Sequence, residues 1–247
     1  MTAYDAFASA YDTLNTEIDY DAMAKHITSK LNERGIGKGA LVLDLGCGTG
    51  SLTSRLAKSG FDMTAIDSSA EMLNIARENI NDPSVLLLCQ DITDFELYGT
   101  VAAVVSTTDT INHITDPDDL RRVFDLVRNY LDPDGIFIFD VNSPNKFENT
   151  YGTNDYVLED EGVLLAWQND YDSKSGMADF YITLFEETPD GKWERTDTDF
   201  SERCYTEDFL RDALNKAGFE VLSVTDSYSD IPAGKESDRL CITAKRA

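Results

Sequence analysis

The chain has 247 residues, 42% hydrophobic, 10% aromatic and 27% charged, which suits one large domain or one domain carrying a smaller appended piece. Its 21 basic residues against 46 acidic ones give a formal net charge of −25, spread evenly over both halves. Such a surface repels phosphate backbones and anionic lipid; it argues against nucleic-acid or membrane partners and suits a neutral or cationic small molecule.

Met1 to Phe7 carries neither the basic nor the apolar region of a signal peptide, and no run approaches the ~18 apolar residues of a membrane span. Cys47, Cys89, Cys204 and Cys241 lie far apart without a C-x-x-C pair, and His26 and His113 are the only histidines. No metal site is expected, and free thiols in a cytoplasmic monomer or homodimer are the simplest reading.

Residues 19–34 place Tyr20, Met23, Ala24, Ile27 and Leu31 at helical spacing, and Gly35 and Gly37 end that helix. Strands and helices then alternate: a strand over 41–45, a glycine turn over 46–50, a helix over 51–59 and a strand over 61–66. Ser68 and Glu71 carry a capping-box signature ahead of the next helix. Strands over 85–89 and 101–106, a helix opened by Asp116-Pro117 and a strand over 136–139 complete the rhythm. Strands that are apolar on consecutive residues, separated by amphipathic helices, predict an α/β doubly wound, mostly parallel sheet covered on both faces.

Near Ser143-Pro144 the pattern changes. Residues 156–200 read as antiparallel strands, with aromatic-rich runs and turns at 173–176 and 189–191. A helix over 206–217 and strands over 219–226 and 238–245 close the chain. The predicted division is a main domain of residues 1–143 and 201–247, with 144–200 as a small antiparallel β insertion acting as a lid. Trp167, Tyr171, Tyr181 and Phe185 in it are spaced for sheet packing or for an aromatic cover over a substrate.

The strongest chemical signal is Val42-Leu-Asp-Leu-Gly-Cys-Gly-Thr-Gly50, a buried strand running into three alternating glycines and a helix start. Such a turn lets backbone approach a ligand closely. A dinucleotide fingerprint would need glycine at position 51, where Ser51 stands, so a nicotinamide oxidoreductase is disfavoured. Asp67, ending the second strand, is placed to accept from ribose hydroxyls, with Ser68 beside it; a helix-cap role is the alternative. Asp91 could accept from an adenine amino group, with Ile92 and Met72 packing on the ring, or could serve only as a turn residue.

Residues 42–50 with Ala65-Ile-Asp67, Cys89-Gln-Asp-Ile92 and Gly135-Ile-Phe-Ile-Phe-Asp140 resemble a class I S-adenosylmethionine-dependent methyltransferase. Tyr4-Asp-Ala-Phe7 with Tyr11-Asp12, and Arg203 to Leu210 with Ala217-Gly-Phe-Glu220, resemble a bacterial branch that methylates small molecules. The resemblance implies a Rossmann-like seven-stranded sheet with the last strand antiparallel beside the fifth. It implies S-adenosylmethionine as cofactor, with Asp44 on the methionine amino group, Gly46, Cys47 and Gly48 around methionine and ribose, and Tyr4, Phe7 and Tyr11 closing over it.

Candidates on the acceptor side follow the fourth strand. Asp109 is favoured by the resemblance, and His113 is the histidine placed to act as a base or, alternatively, one satisfied by local hydrogen bonds. The leading expectation is methyl transfer to a small-molecule acceptor by in-line displacement. The alternative is a sensor or assembly protein that binds the cofactor without turnover.

Overall fold

The computed structural model describes residues 17–152, 154–160 and 162–247, together with Ala8, Tyr11 and Asn15. Helix α1 (Tyr20–Glu33) is capped by Asp19, whose carboxylate accepts from Ala22 N at 2.8 Å, and buries Met23, Ala24, Ile27 and Leu31. β1 (Leu41–Leu45), α2 (Ser51–Ser59), β2 (Asp62–Asp67), α3 (Ala70–Ile80), β3 (Leu86–Cys89) and β4 (Val101–Ser106) follow. A 3₁₀ turn over Thr110–His113 leads into α4 (Pro117–Tyr130), capped by Asp116 with proline at the first turn, and then β5 (Leu131–Asn142).

These strands form one sheet with β10 (Phe219–Asp226) and β11 (Arg239–Arg246), in the order β10-β11-β5-β4-β1-β2-β3. β1 to β5 run parallel, while β11 is antiparallel to both β5 and β10. This is the seven-stranded α/β sheet expected, with the last strand beside the fifth. Alternation along each strand feeds two cores. Val42, Met63, Val105 and Ile138 pack with α1 and α2, whereas Leu43, Val104, Phe137 and Phe139 pack with α4 and with α5 (Glu207–Lys216). Burying such side chains contributes roughly 1.5–3 kcal/mol each, which is why most buried positions of these strands are apolar.

Two local expectations are corrected. The fifth strand extends well beyond 136–139 because β11 pairs with it from Ile136 to Asn142, and its register against β4 jumps from Leu131 to Ile136, absorbing the Pro133-Asp-Gly135 turn. The cap of α3 is Ser69, not Ser68. Asp67 Oδ1 accepts from Ser69 N at 2.9 Å and delays the helix by one residue, and Ser69 Oγ then accepts from Met72 N at 3.1 Å.

A π-helical turn over Lys146–Tyr151 leads into a separate four-stranded antiparallel sheet, β6 (Asp155–Asp160), β7 (Val163–Asp172), β8 (Met177–Glu187) and β9 (Trp193–Arg203), in sequential order. Its inner face carries Leu165, Trp167, Phe180, Ile182, Leu184 and Phe200. Trp167 and Tyr171 therefore pack inward. Tyr181 is 51% exposed, and Phe185, paired with Leu164, shares its outward face, so these two do not cover a substrate.

Candidate functional site

The carboxyl ends of β1, β2 and β4 converge where the sheet order reverses between β1 and β4, the place where open α/β sheets bind ligands. A cavity of about 490 Å³ opens there. Its lining includes the expected Asp44, Gly46, Cys47, Gly48, Asp67 and Ser68, along with Met72, Asp91, Ile92, Tyr11 and His113. Tyr4 and Phe7 lie outside the described residues.

At one end the glycine turn is pinned by its backbone. Gly46 N and Cys47 N both donate to Ile66 O, at 2.8 and 3.0 Å, and Gly48 N donates to Asp67 Oδ2 at 2.8 Å. Gly46 has φ +75° and a Cβ there would run into the Thr110 side chain; Gly48 has φ +52° and open space where its Cβ would be. The first glycine permits close packing and the second leaves open space on the cavity wall. Asp67 thus joins β2 to the turn while facing the cavity. Asp91 Oδ1 accepts from Thr93 N and Thr93 Oγ1, both at 2.8 Å, so it is a turn residue that also lines the cavity.

Asp44 is 1% exposed. Thr53 Oγ1 donates to its Oδ2 at 2.6 Å, while Oδ1 has no partner among the described residues. Burial, with Asp67 nearby, pushes its carboxyl up to about 7 against the Thr53 hydrogen bond. Burial likewise pushes the Cys47 thiol up, which favours the thiol over the thiolate.

The opposite end is built from side chains. His113 lines the cavity, its ring 5.2 Å from that of Phe200 on β9, and its Nε2 lies 3.8 Å from Glu202 Oε1. Burial lowers the His113 pKa, only partly opposed by Asp109, and leaves a neutral imidazole at pH 7. Burial and the charge of Asp109 raise that of Glu202. Asn142 ties this corner together: its N donates to Asn112 Oδ1 at 2.9 Å, its Nδ2 to Glu202 Oε2 at 3.3 Å, and Asn112 Nδ2 donates to Arg203 O at 2.8 Å.

Asp109 is not among the cavity-lining residues. Its Oδ1 pairs with Arg239 Nη2 at 2.6 Å; burial pushes its carboxyl up, but Arg239, Lys146 and His113 outweigh that and hold it low. Behind it the fully buried Asp140 accepts from Thr108 N at 2.8 Å and Asp109 N at 2.7 Å, and also from Tyr228 and Arg239. Thr108 and Asp109 have φ of +53° and +57° without being glycine, a strain that the Asp140 clamp sustains.

Asp109, His113 and Glu202 bring their ligand atoms within 4.8 Å of one another, a spacing able to hold a cation that the residue spacing did not foretell. Arg239 already occupies Asp109, and the Lys146 ammonium lies among the same charges. The sequence reading also missed Glu202, Asp140 and Arg239. One signal for Glu202 was available: it stands two residues after Phe200 on the same face of β9.

The methyltransferase-domain family model matches residues 42–135. Over 248 residues the chain is 31% identical to a Bacillus subtilis (strain 168) protein named "Putative methyltransferase YqeM", covering 99% of this chain and 97% of that one. It superposes on a crystal structure of an S-adenosylmethionine-dependent methyltransferase from Clostridium acetobutylicum with TM-score 0.89 and 30% identity, covering all of both chains. The CcbJ methyltransferase from Streptomyces caelestis, at 19% identity and TM-score 0.83 over 100% of this chain and 98% of that one, shares the fold. The binding-only alternative finds no support among these relatives, and the chain belongs to the class I S-adenosylmethionine-dependent methyltransferases, with S-adenosylmethionine as its cofactor.

Proposed function

We propose that the enzyme methylates a small-molecule acceptor that must shed a proton, with the cofactor at the glycine-turn end of the cavity and the acceptor at the His113 end. The observation that carries this reading is Asp44 Oδ1, a buried carboxylate oxygen on a cavity-lining residue that has no donor among the described residues. An ammonium such as that of the cofactor's methionine would supply the missing partner and hold the carboxylate ionised. The space at Gly48 suits the same group; Asp67 would take the ribose hydroxyls, and Asp91, Ile92 and Met72 would hold the adenine.

The bound cofactor supplies a methyl group already activated on a sulfonium, for an in-line displacement that needs alignment more than covalent help. The chain's own task is to exclude water, orient the acceptor and accept its proton. His113, neutral because it is buried, is the base; Phe200 fixes its ring, and Glu202 faces the imidazole as it gains charge. Asp109 acts from behind, joined to Arg239, by orienting the turn that bears His113. Residues 144–200 serve as a lid whose inner face closes the acceptor end, with residues 1–143 and 201–247 as the methyltransferase domain.

The net charge of −25 supports a small molecule rather than nucleic acid as partner. Among the described residues no helix is long and apolar enough to cross a membrane. A cytoplasmic monomer or homodimer with free thiols remains our reading. The test is transfer of isotopically labelled methyl from S-adenosylmethionine into a pooled small-metabolite extract. Label is expected in the small-molecule fraction with the parent and not with Asp67→Ala. Label confined to RNA or protein, or no transfer at all, would overturn the reading.

A further inference from the structure

We propose that the methyl acceptor is a small amine that reaches the cavity in its ammonium form. This deepens the methyl-transfer reading above and rests on it. The cavity is lined by five aspartates, Asp44, Asp67, Asp91, Asp116 and Asp119, and among the described residues by no lysine or arginine. The residues outside the described set contain no lysine or arginine either. Two of the carboxylates, Asp116 and Asp119, follow His113 and Thr115 in the lining, where they open α4.

A second feature points the same way. Phe200 and Tyr11 add aromatic faces to the lining, and Tyr11 packs against Leu165, Ile182 and Leu184 of the small sheet. Carboxylates at the mouth with aromatic rings within is the chemistry that recognises an ammonium. The nearby cations are held outside the lining: Arg122 Nη1 lies 3.4 Å from Asp119 Oδ1 in an exposed pair, and Arg203 Nε donates to Thr115 O at 2.5 Å. Arg239 is neutralised by Asp109 and Asp140, Lys146 donates to Asn142 Oδ1 at 3.0 Å and lies over the Tyr151 ring, and neither lines the cavity. A carboxylated or phosphorylated acceptor would meet Asp116 and Asp119 and no lysine or arginine in the described lining.

The amine also gives His113 its task. An ammonium has no lone pair, so it first yields a proton to the neutral imidazole. The freed nitrogen pair then forms the bond to the methyl carbon, the carbon–sulfur bond breaks with its electrons left on sulfur, and the imidazolium releases its proton to solvent. The product is the methylated ammonium, with S-adenosylhomocysteine and one proton.

The test is calorimetric titration of the full-length protein, saturated with S-adenosylhomocysteine, with three sets matched in size and differing in charge. These are phenethylamine, 2-phenylethanol and 3-phenylpropanoate; glucosamine, glucose and glucuronate; ethanolamine, ethylene glycol and glycolate. In at least one set the amine is expected to bind about tenfold tighter than its neutral partner, with no binding of the anion. That affinity should fall severalfold in Asp119→Asn and, separately, in Asp116→Asn, where asparagine keeps the helix cap. No amine binding in any set, a neutral or anionic member binding as tightly, or amine affinity unchanged in both variants would overturn the proposal. Failure of S-adenosylhomocysteine itself to bind would count against the methyl-transfer reading instead.

Discussion

The two ends of the cavity are made in different ways. The glycine-turn end is written mostly in backbone, from Asp44 to Gly50 plus Asp67, whose carboxylate clasps Gly48 and Ser69. The His113 end is assembled from side chains on the 109–113 turn, Asn142 of β5, Phe200 and Glu202 of β9 and Arg239 of β11. A cofactor shared by many enzymes can be held by a short local pattern. An acceptor peculiar to one enzyme is met by residues that only the tertiary fold brings together.

Substitutions at the two ends should therefore fail differently. The largest effect is expected from Arg239→Met, which leaves the buried Asp140 and the half-buried Asp109 without their cation; the loss should be about 3–5 kcal/mol, read by denaturant unfolding. A loss below about 1 kcal/mol would mean the cluster does not depend on that charge. Next comes Gly46→Val, which forces a branched residue to φ +75° against Thr110 and should weaken S-adenosylhomocysteine binding on the order of hundredfold.

His113→Ala sharpens the contrast, because it should lower turnover by roughly 10²–10⁴-fold while leaving cofactor affinity nearly unchanged. Equal loss of both would merge the two ends into one function. In the parent enzyme kcat/KM should fall as acid protonates His113, at a pH below the ordinary histidine range because burial disfavours its charge.

The smallest effect is a pH dependence. Asp44, with its carboxyl at about 7, must ionise to hold an ammonium, so cofactor affinity should rise up to about tenfold per pH unit below that value and level off above it. Calorimetry in buffers of differing ionisation heat should register the released proton, and Asp44→Asn should abolish the dependence. In the free protein the sign reverses. The native carboxyl keeps its proton after the unfolded chain has lost it, so this group's contribution to stability declines as pH rises from about 4 towards about 7.

The same contrast accounts for what could be read in advance. Strand 41–45, the glycines, Asp67 and the helices of the sheet follow from spacing and turn chemistry, which act over a few residues. The Asp140–Arg239 clamp joins positions 99 residues apart, and nothing in the local pattern around Arg239 marks it. Glu202 was hidden because an acidic residue in a polar strand ordinarily faces water; only the parity it shares with Phe200 places it inside. Asp109 was legible as a member of the acceptor-side turn, but its left-handed backbone and its pairing with Arg239 were not. The shift of the α3 cap from Ser68 to Ser69 came from a carboxylate on the preceding strand, which a capping-box pattern does not include.

The central claim is that cofactor binding and proton acceptance lie at separate ends of one cavity. Its most direct test is calorimetric titration of S-adenosylhomocysteine into the parent, Asp67→Ala and His113→Ala proteins. The account predicts binding by the parent, loss of at least about tenfold in Asp67→Ala, and an affinity within about twofold of the parent in His113→Ala. Parental affinity in Asp67→Ala, or an equal loss in both variants, would contradict it.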